Sequence, residues 1–208
     1  MIAKLHQITQ DNLQKSHFEQ GIDFLKGGGK WIQIRSKNLP EEEVIKQALA
    51  LKQESKAYKA KIILNDKWQL ARELKLDGVH VGLNDTPINL IRERVKSSTF
   101  IIGGTANTFA DIQMHFKNSA NYIGLGPYKF TATKAKLSPV LGIKGYVDII
   151  KKCKEAQISI PIIAIGGIKI IDCKEILSAG VQGIAIASQI NTAQNPIEET
   201  KIFLKNLP

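Results

Sequence analysis

Residues able to bind phosphate or metal fall, in this chain, just after short apolar runs. In Trp31-Ile32-Gln33-Ile34-Arg35-Ser36-Lys37 an amide and two cations recur at every second position. Extended backbone puts Gln33, Arg35 and Lys37 on one face and Ile32 and Ile34 on the other. If the isoleucines pack against helices, the polar trio points inward. An unpartnered inward guanidinium is costly, so the trio must reach an open rim and bind an anion or pair with internal acids. Asn65-Asp66 follows Ile62-Ile63-Leu64, and Asp85 stands just beyond Gly78-Val79-His80-Val81. Carboxylates at the ends of consecutive strands come together at one rim, and two oxygen donors with open positions left over suit magnesium. Taken singly, Asp66 could equally cap a helix and Asp85 could be a turn residue before Pro87. His80, inside an apolar strand, reads as a packed or hydrogen-bonded structural histidine.

A second group lies further along. The segment from Pro127 to Leu141 carries Thr131, Thr133 and Lys134 and is longer than a simple connector, a length that suits a lid closing over bound substrates. Gly166-Gly167 after Ile162-Ile163-Ala164-Ile165 lets a phosphate approach backbone N–H groups, and Ser188 adds a hydroxyl after a further strand. Gly27-Gly28-Gly29 invites a phosphate-loop reading and fails it. These glycines follow a helix and precede a strand, with Trp31 after Lys30, so they read as a helix C-cap and turn.

Eight strand–helix pairs position these groups. Strands are expected at Lys4 to Thr9, from Trp31, and at Lys61 to Leu64, Gly78 to Val81, Phe100 to Ile102, Asn121 to Leu125, Ile160 to Ile165 and Gly183 to Ala187. Helices are expected at Phe18 to Lys26, Pro40 to about Lys56, Lys67 to Leu74, Pro87 to Val95, Phe109 to Phe116, Gly145 to Ala156, Ile171 to Ala179 and Glu198 to Leu204. Continuous apolar strands alternating with amphipathic helices call for a parallel sheet, and eight units suggest closure into a barrel. An open doubly wound sheet is the alternative, without a G-x-G-x-x-G after the first strand to support its dinucleotide-binding form.

The composition agrees with one α/β domain of 208 residues, 43% hydrophobic and 23% charged. No apolar run reaches the ~18 residues of a membrane helix, and the first twenty residues lack a signal peptide's apolar centre, so a cytoplasmic protein without membrane contact is expected. Cys153 and Cys173 lack metal-ligand spacing and read as ordinary thiols. The 29 basic against 19 acidic side chains give +10, which attracts anions. The lysines are spread along helix-like stretches without an arginine-rich arm or aromatic stripe, so small phosphorylated molecules are the expected partners and nucleic acid is not.

Across nearly the whole chain, from Gln7-Ile8-Thr9 to Ser188, the motifs resemble the thiamin phosphate synthase family. Gln33 to Lys37 matches its Q-x-R-x-K, and Asn65-Asp66, Gly78 to Gly82 with Asp85, Tyr122 through Lys134, and Ile165-Gly166-Gly167-Ile168 follow in the family's order. The resemblance implies a single-domain (βα)₈ TIM barrel joining hydroxymethylpyrimidine diphosphate to a thiazole phosphate, with release of pyrophosphate. It implies that Gln33, Arg35, Lys37, Asn65, Thr105 and Lys134 hold the pyrimidine diphosphate, with Arg35, Lys37 and Lys134 also acting on the leaving group. Asp66 and Asp85 would hold Mg²⁺, and Thr131, Thr133, Gly167, Ala187 and Ser188 the thiazole phosphate. The chain departs from the family pattern at three places: Thr105 replaces a serine, Leu83 a glutamine, and Ala187 a larger aliphatic residue. A thiazole tautomerase of the same superfamily is the nearest alternative, but those relatives lose the Asn-Asp pair and carry histidine where Pro127 stands here. A non-catalytic thiazole-phosphate sensor is a second alternative, which the presence of Asp66, Asp85 and Lys134 disfavours. A homo-oligomer remains open.

Overall fold

The structure is a computed structural model that describes residues 1–131 and 138–207. Eight parallel strands form a closed barrel in chain order: β1 (Leu5–Ile8), β2 (Trp31–Ile34), β3 (Lys61–Asn65), β4 (Gly78–Val81), β5 (Ile101–Ala106), β6 (Tyr122–Leu125), β7 (Ile162–Ile165) and β8 (Gly183–Ile186). The helices around it are α1 (His17–Lys26), α2 (Glu41–Tyr58), α3 (Trp68–Glu73), α4 (Ile88–Val95), α5 (Phe109–Lys117), α6 (Gly142–Glu155), α7 (Cys173–Ser178), α8 (Ser188–Asn191) and α9 (Pro196–Lys205).

The alternation expected of β2 is observed. Ile32 and Ile34 join the layer between barrel and helices, whereas Trp31 joins Ile8, Ile63, Tyr122, Ile163 and Ala185 inside the barrel. Trp31 and Tyr122 are fully buried, and their rings meet edge to face with centroids 5.5 Å apart. His6 stacks on Trp31 at 4.5 Å. Burial, followed by a like-charge contribution from His80, outweighs a hydrogen bond to the Ala3 carbonyl and holds the His6 pKa down to about 3, so the ring is neutral. Large rings therefore fill one end of the barrel, and the polar groups gather at the other, where the strands end.

Several helices begin on caps written in the sequence. Ser16 and Thr108 each accept the N3 backbone N–H, with Glu19 and Asp111 returning the bond to complete capping boxes. Gly27 is the C-cap of α1, and the turn after it carries Gly28 at φ +95. Two elements differ most from expectation. Strand β5 runs on to Ala106 instead of stopping at Ile102, because Gly103 and Gly104 leave the space filled by the Tyr122 and His115 rings; a Cβ on Gly103 would lie 2.2 Å from the Tyr122 ring. The four-residue α8 was not anticipated, being too short for a periodic signal.

Candidate active site

The carboxyl ends of the strands surround a cavity of about 750 Å³. Of the residues singled out in the sequence, Gln33, Arg35, Lys37, Asn65, Asp66, Asp85, Thr105, Thr131, Gly167, Ala187 and Ser188 all line it. Thr133 and Lys134 lie outside the described residues.

Strand β2 ends at Ile34, so Gln33 alone of the trio lies within the barrel wall, and Arg35 and Lys37 stand on the rim beyond it. Gln33 Nε2 donates to Asn65 Oδ1 at 2.7 Å, joining neighbouring strands at the level where the cavity begins. The Lys37 ammonium contacts Asp66 Oδ2. Asp66 does not cap α3, whose N-cap position is Lys67. Its backbone is left-handed, φ +62, a conformation that Asp tolerates better than most residues, and its N–H donates to the His80 carbonyl at 2.8 Å. Asp66 and Asp85 line the same cavity, and the Asp66 carboxyl is near enough to act on that of Asp85. Asp85 also closes its own turn, accepting the Gly82 N–H at 2.7 Å. Partial burial and the Asp66 carboxyl together push the Asp85 pKa above the usual carboxylate range, against the Gly82 N–H and Lys37. Two neighbouring carboxyls on the cavity wall supply oxygen donors of the kind a divalent cation takes.

His80 is hydrogen-bonded, as expected, and it also lines the cavity. Its Nδ1 lies 3.0 Å from the Tyr122 hydroxyl and its Nε2 3.0 Å from Thr105 Oγ1. Thr105 is thereby tied back to the buried rings below while its hydroxyl borders the cavity. Leu83 and Ala187, the two other departures from the family pattern, also line the cavity.

Across the cavity the chain turns between β7 and α7 through Gly166 and Gly167, both at positive φ, +97 and +68. A side chain on Gly167 would meet the backbone oxygens of Phe130 and Lys129 at 2.6 and 2.9 Å, so glycine is required there on steric as well as conformational grounds. Ser188 opens α8 after β8, adjacent to this turn through the β7–β8 pairing. Sequence reasoning passed over Asn107, Ser138, Lys169 and Gln189, which line the same cavity. Ser138 Oγ donates to Asn107 Oδ1 at 2.8 Å, linking the segment after β6 to the end of β5. None follows an apolar run directly, the signal that marked the other site residues.

Relatives share this architecture. The structure superimposes on thiamine phosphate pyrophosphorylase from Pyrococcus furiosus with a TM-score of 0.86, at 30% identity, over 98% of this chain and 94% of that one. Thiamine-phosphate synthase of Bacteroides thetaiotaomicron is 45% identical over 98% of this chain and 97% of its own length. The Bacteroides fragilis enzyme of the same name is 47% identical over 98% and 99%. The family model described as thiamine monophosphate synthase matches residues 5–190. Barrel, motif order and near-complete alignment agree: the chain belongs to the thiamine monophosphate synthase family.

Proposed function

We propose that this chain is a thiamin phosphate synthase, a transferase that joins hydroxymethylpyrimidine diphosphate to thiazole phosphate with release of pyrophosphate. The observation that carries the reading is the division of one cavity. On one side it is lined by Arg35, Lys37, Asn65 and the Asp66–Asp85 pair, and on the other by Gly167 and Ser188. Two anionic ligands would thus face each other across a space bounded by Thr105.

In this reading Gln33 and Thr105 orient the pyrimidine, and Arg35, Lys37, Asn65 and Lys134 hold its diphosphate. Asp66 and Asp85 hold Mg²⁺, which when bound supplies positive charge to the departing pyrophosphate. Thr131, Thr133, Gly167, Ala187 and Ser188 hold the thiazole phosphate. As the bond between the pyrimidine methylene and the diphosphate oxygen breaks, electrons move onto the diphosphate, where the fixed cations of Arg35 and Lys37 stabilise them. The methylene becomes cation-like, the thiazole nitrogen attacks it, and no protein nucleophile is needed. One barrel domain carries the whole reaction, and a biosynthetic step on small phosphorylated molecules accords with a cytoplasmic location.

The test is pyrophosphate release by the purified protein, with omission of each substrate and of magnesium in turn. Release that requires all three, matched by an equal amount of thiamin phosphate, is the expected result. Tight binding of thiazole phosphate without pyrophosphate release would replace the synthase reading with an isomerase or a sensor.

A further inference from the structure

Beneath the cationic rim sits a polar cluster that the proposed chemistry does not use. His17, at the start of α1 and buried to 3% exposure, places Nδ1 2.6 Å from Thr9 Oγ1 and Nε2 3.0 Å from Asp11 Oδ1. An ionised carboxylate only accepts, so His17 donates from Nε2, while the Thr9 hydroxyl lies between His17 Nδ1 and the Gln33 carbonyl, to which it can donate at 3.4 Å. Thr9 Oγ1 keeps a lone pair for the Arg35 N–H at 3.1 Å. Asp11 accepts two further bonds, from Ser36 Oγ at 2.9 Å and from the Lys37 N–H at 2.6 Å. Asp, His and Thr make up the composition of a hydrolytic triad, but Thr9 is fully buried and its oxygen is taken up by Arg35. A nucleophile there would have no substrate to reach.

The placement has a clear mechanical sense. The β1–β2 ladder ends with Thr9 N–H donating to the Gln33 carbonyl at 3.0 Å. Beyond that bond, the side chains of Thr9 and Asp11 continue the link between the two segments, tying Arg35, Ser36 and Lys37 in succession. His17 joins the two anchors through both ring nitrogens. Arg35 and Lys37 are left with their side chains on the cavity and their backbone fixed. A rim segment outside the ladder would otherwise have to be ordered when an anion binds, and that cost comes directly off the affinity.

We propose that Asp11 and His17 are positioning residues, holding the 35–37 segment so that Arg35 and Lys37 are preorganised for a diphosphate-bearing ligand. This rests on the synthase reading for the identity of that ligand. A negative anchor close to an anion site would be counterproductive if its charge were free, and here it is not. Burial opposes ionisation of Asp11, but the Lys37 N–H, the Ser36 hydroxyl and His17 outweigh it and hold the carboxyl below its usual range.

The experiment compares wild type with Asp11→Ala and Asp11→Asn, and with Arg35→Ala as the reference for a lost clamp. Calorimetric titration with magnesium pyrophosphate and with thiazole phosphate accompanies steady-state kinetics. Asp11→Ala is expected to weaken pyrophosphate binding and raise KM for the pyrimidine diphosphate by on the order of 10-fold, with thiazole phosphate affinity held within about twofold. Asp11→Asn, which keeps one acceptor oxygen, should fall between. If Asp11→Ala does not fold, Asp11→Asn and Ser36→Ala give the same ligand-selective comparison. Pyrophosphate affinity and KM at wild-type values would overturn the proposal, and so would an equal loss for both ligands, which marks a merely structural role. A wild-type protein that binds pyrophosphate in this graded way but makes no thiamin phosphate would defeat the synthase reading and leave the positioning role standing.

Discussion

Asp66 and Asp85 meet at a rim where Lys37 is the near cation, and the consequence shows in stability before catalysis. The raised pKa of Asp85 means that ionising it in the cation-free protein works against folding. The associated stability is fully present below the ordinary carboxylate value of about 3.9 and is lost as pH rises through the raised one. At neutral pH magnesium should therefore raise the thermal midpoint, and Asp85→Asn should both stabilise the cation-free protein and shrink the magnesium increment. Equal increments in wild type and variant would place the magnesium elsewhere. Asp66 and Asp85 could be picked out in the sequence because each follows an apolar run, and two such ends in succession converge in a parallel sheet. The Asp11–His17 anchor could not. Its partners lie up to 26 residues away, and hydrogen bonds across loops leave no periodic trace.

At the level of elements, β5 shows how packing overrides a local rule. Two consecutive glycines read as a break, yet Gly103 and Gly104 continue the strand because neighbouring rings take the volume that side chains would occupy. Gly103→Ala should force the Tyr122 ring to move and lower unfolding stability by about 1–3 kcal/mol, measured by urea denaturation. Since Tyr122 bonds His80, which bonds Thr105, the same variant should raise KM for the pyrimidine diphosphate. A fully stable variant with unchanged kinetics would separate this ring layer from the site. Most other elements were legible, because buried parallel strands are continuous apolar runs and Pro40 and Pro87 stand at the starts of the helices they announce. The α8 turn was not: four residues give no period, and its buried Asn191 is held by Gln7 from the far end of the chain.

For the molecule as a whole, the +10 charge is spread over the outside of the barrel, and the clamp lies at one end of it. Salt shortens the reach of such a field to about 10 Å at 0.1 M, while contacts within the cavity are screened less. Raising ionic strength should therefore increase KM for both phosphorylated substrates several-fold and change kcat less. A KM indifferent to salt would mean that local contacts alone draw the substrates in. The filled end of the barrel has its own consequence for traffic. Among the described residues, Trp31, Tyr122 and Ile63 pack across the interior and close the end of the barrel opposite the mouth. On the proposed reading a cavity with one door would impose a queue: the molecule whose ring reaches Thr105 would go in ahead of its companion, and whatever remained in that seat would be the last to depart.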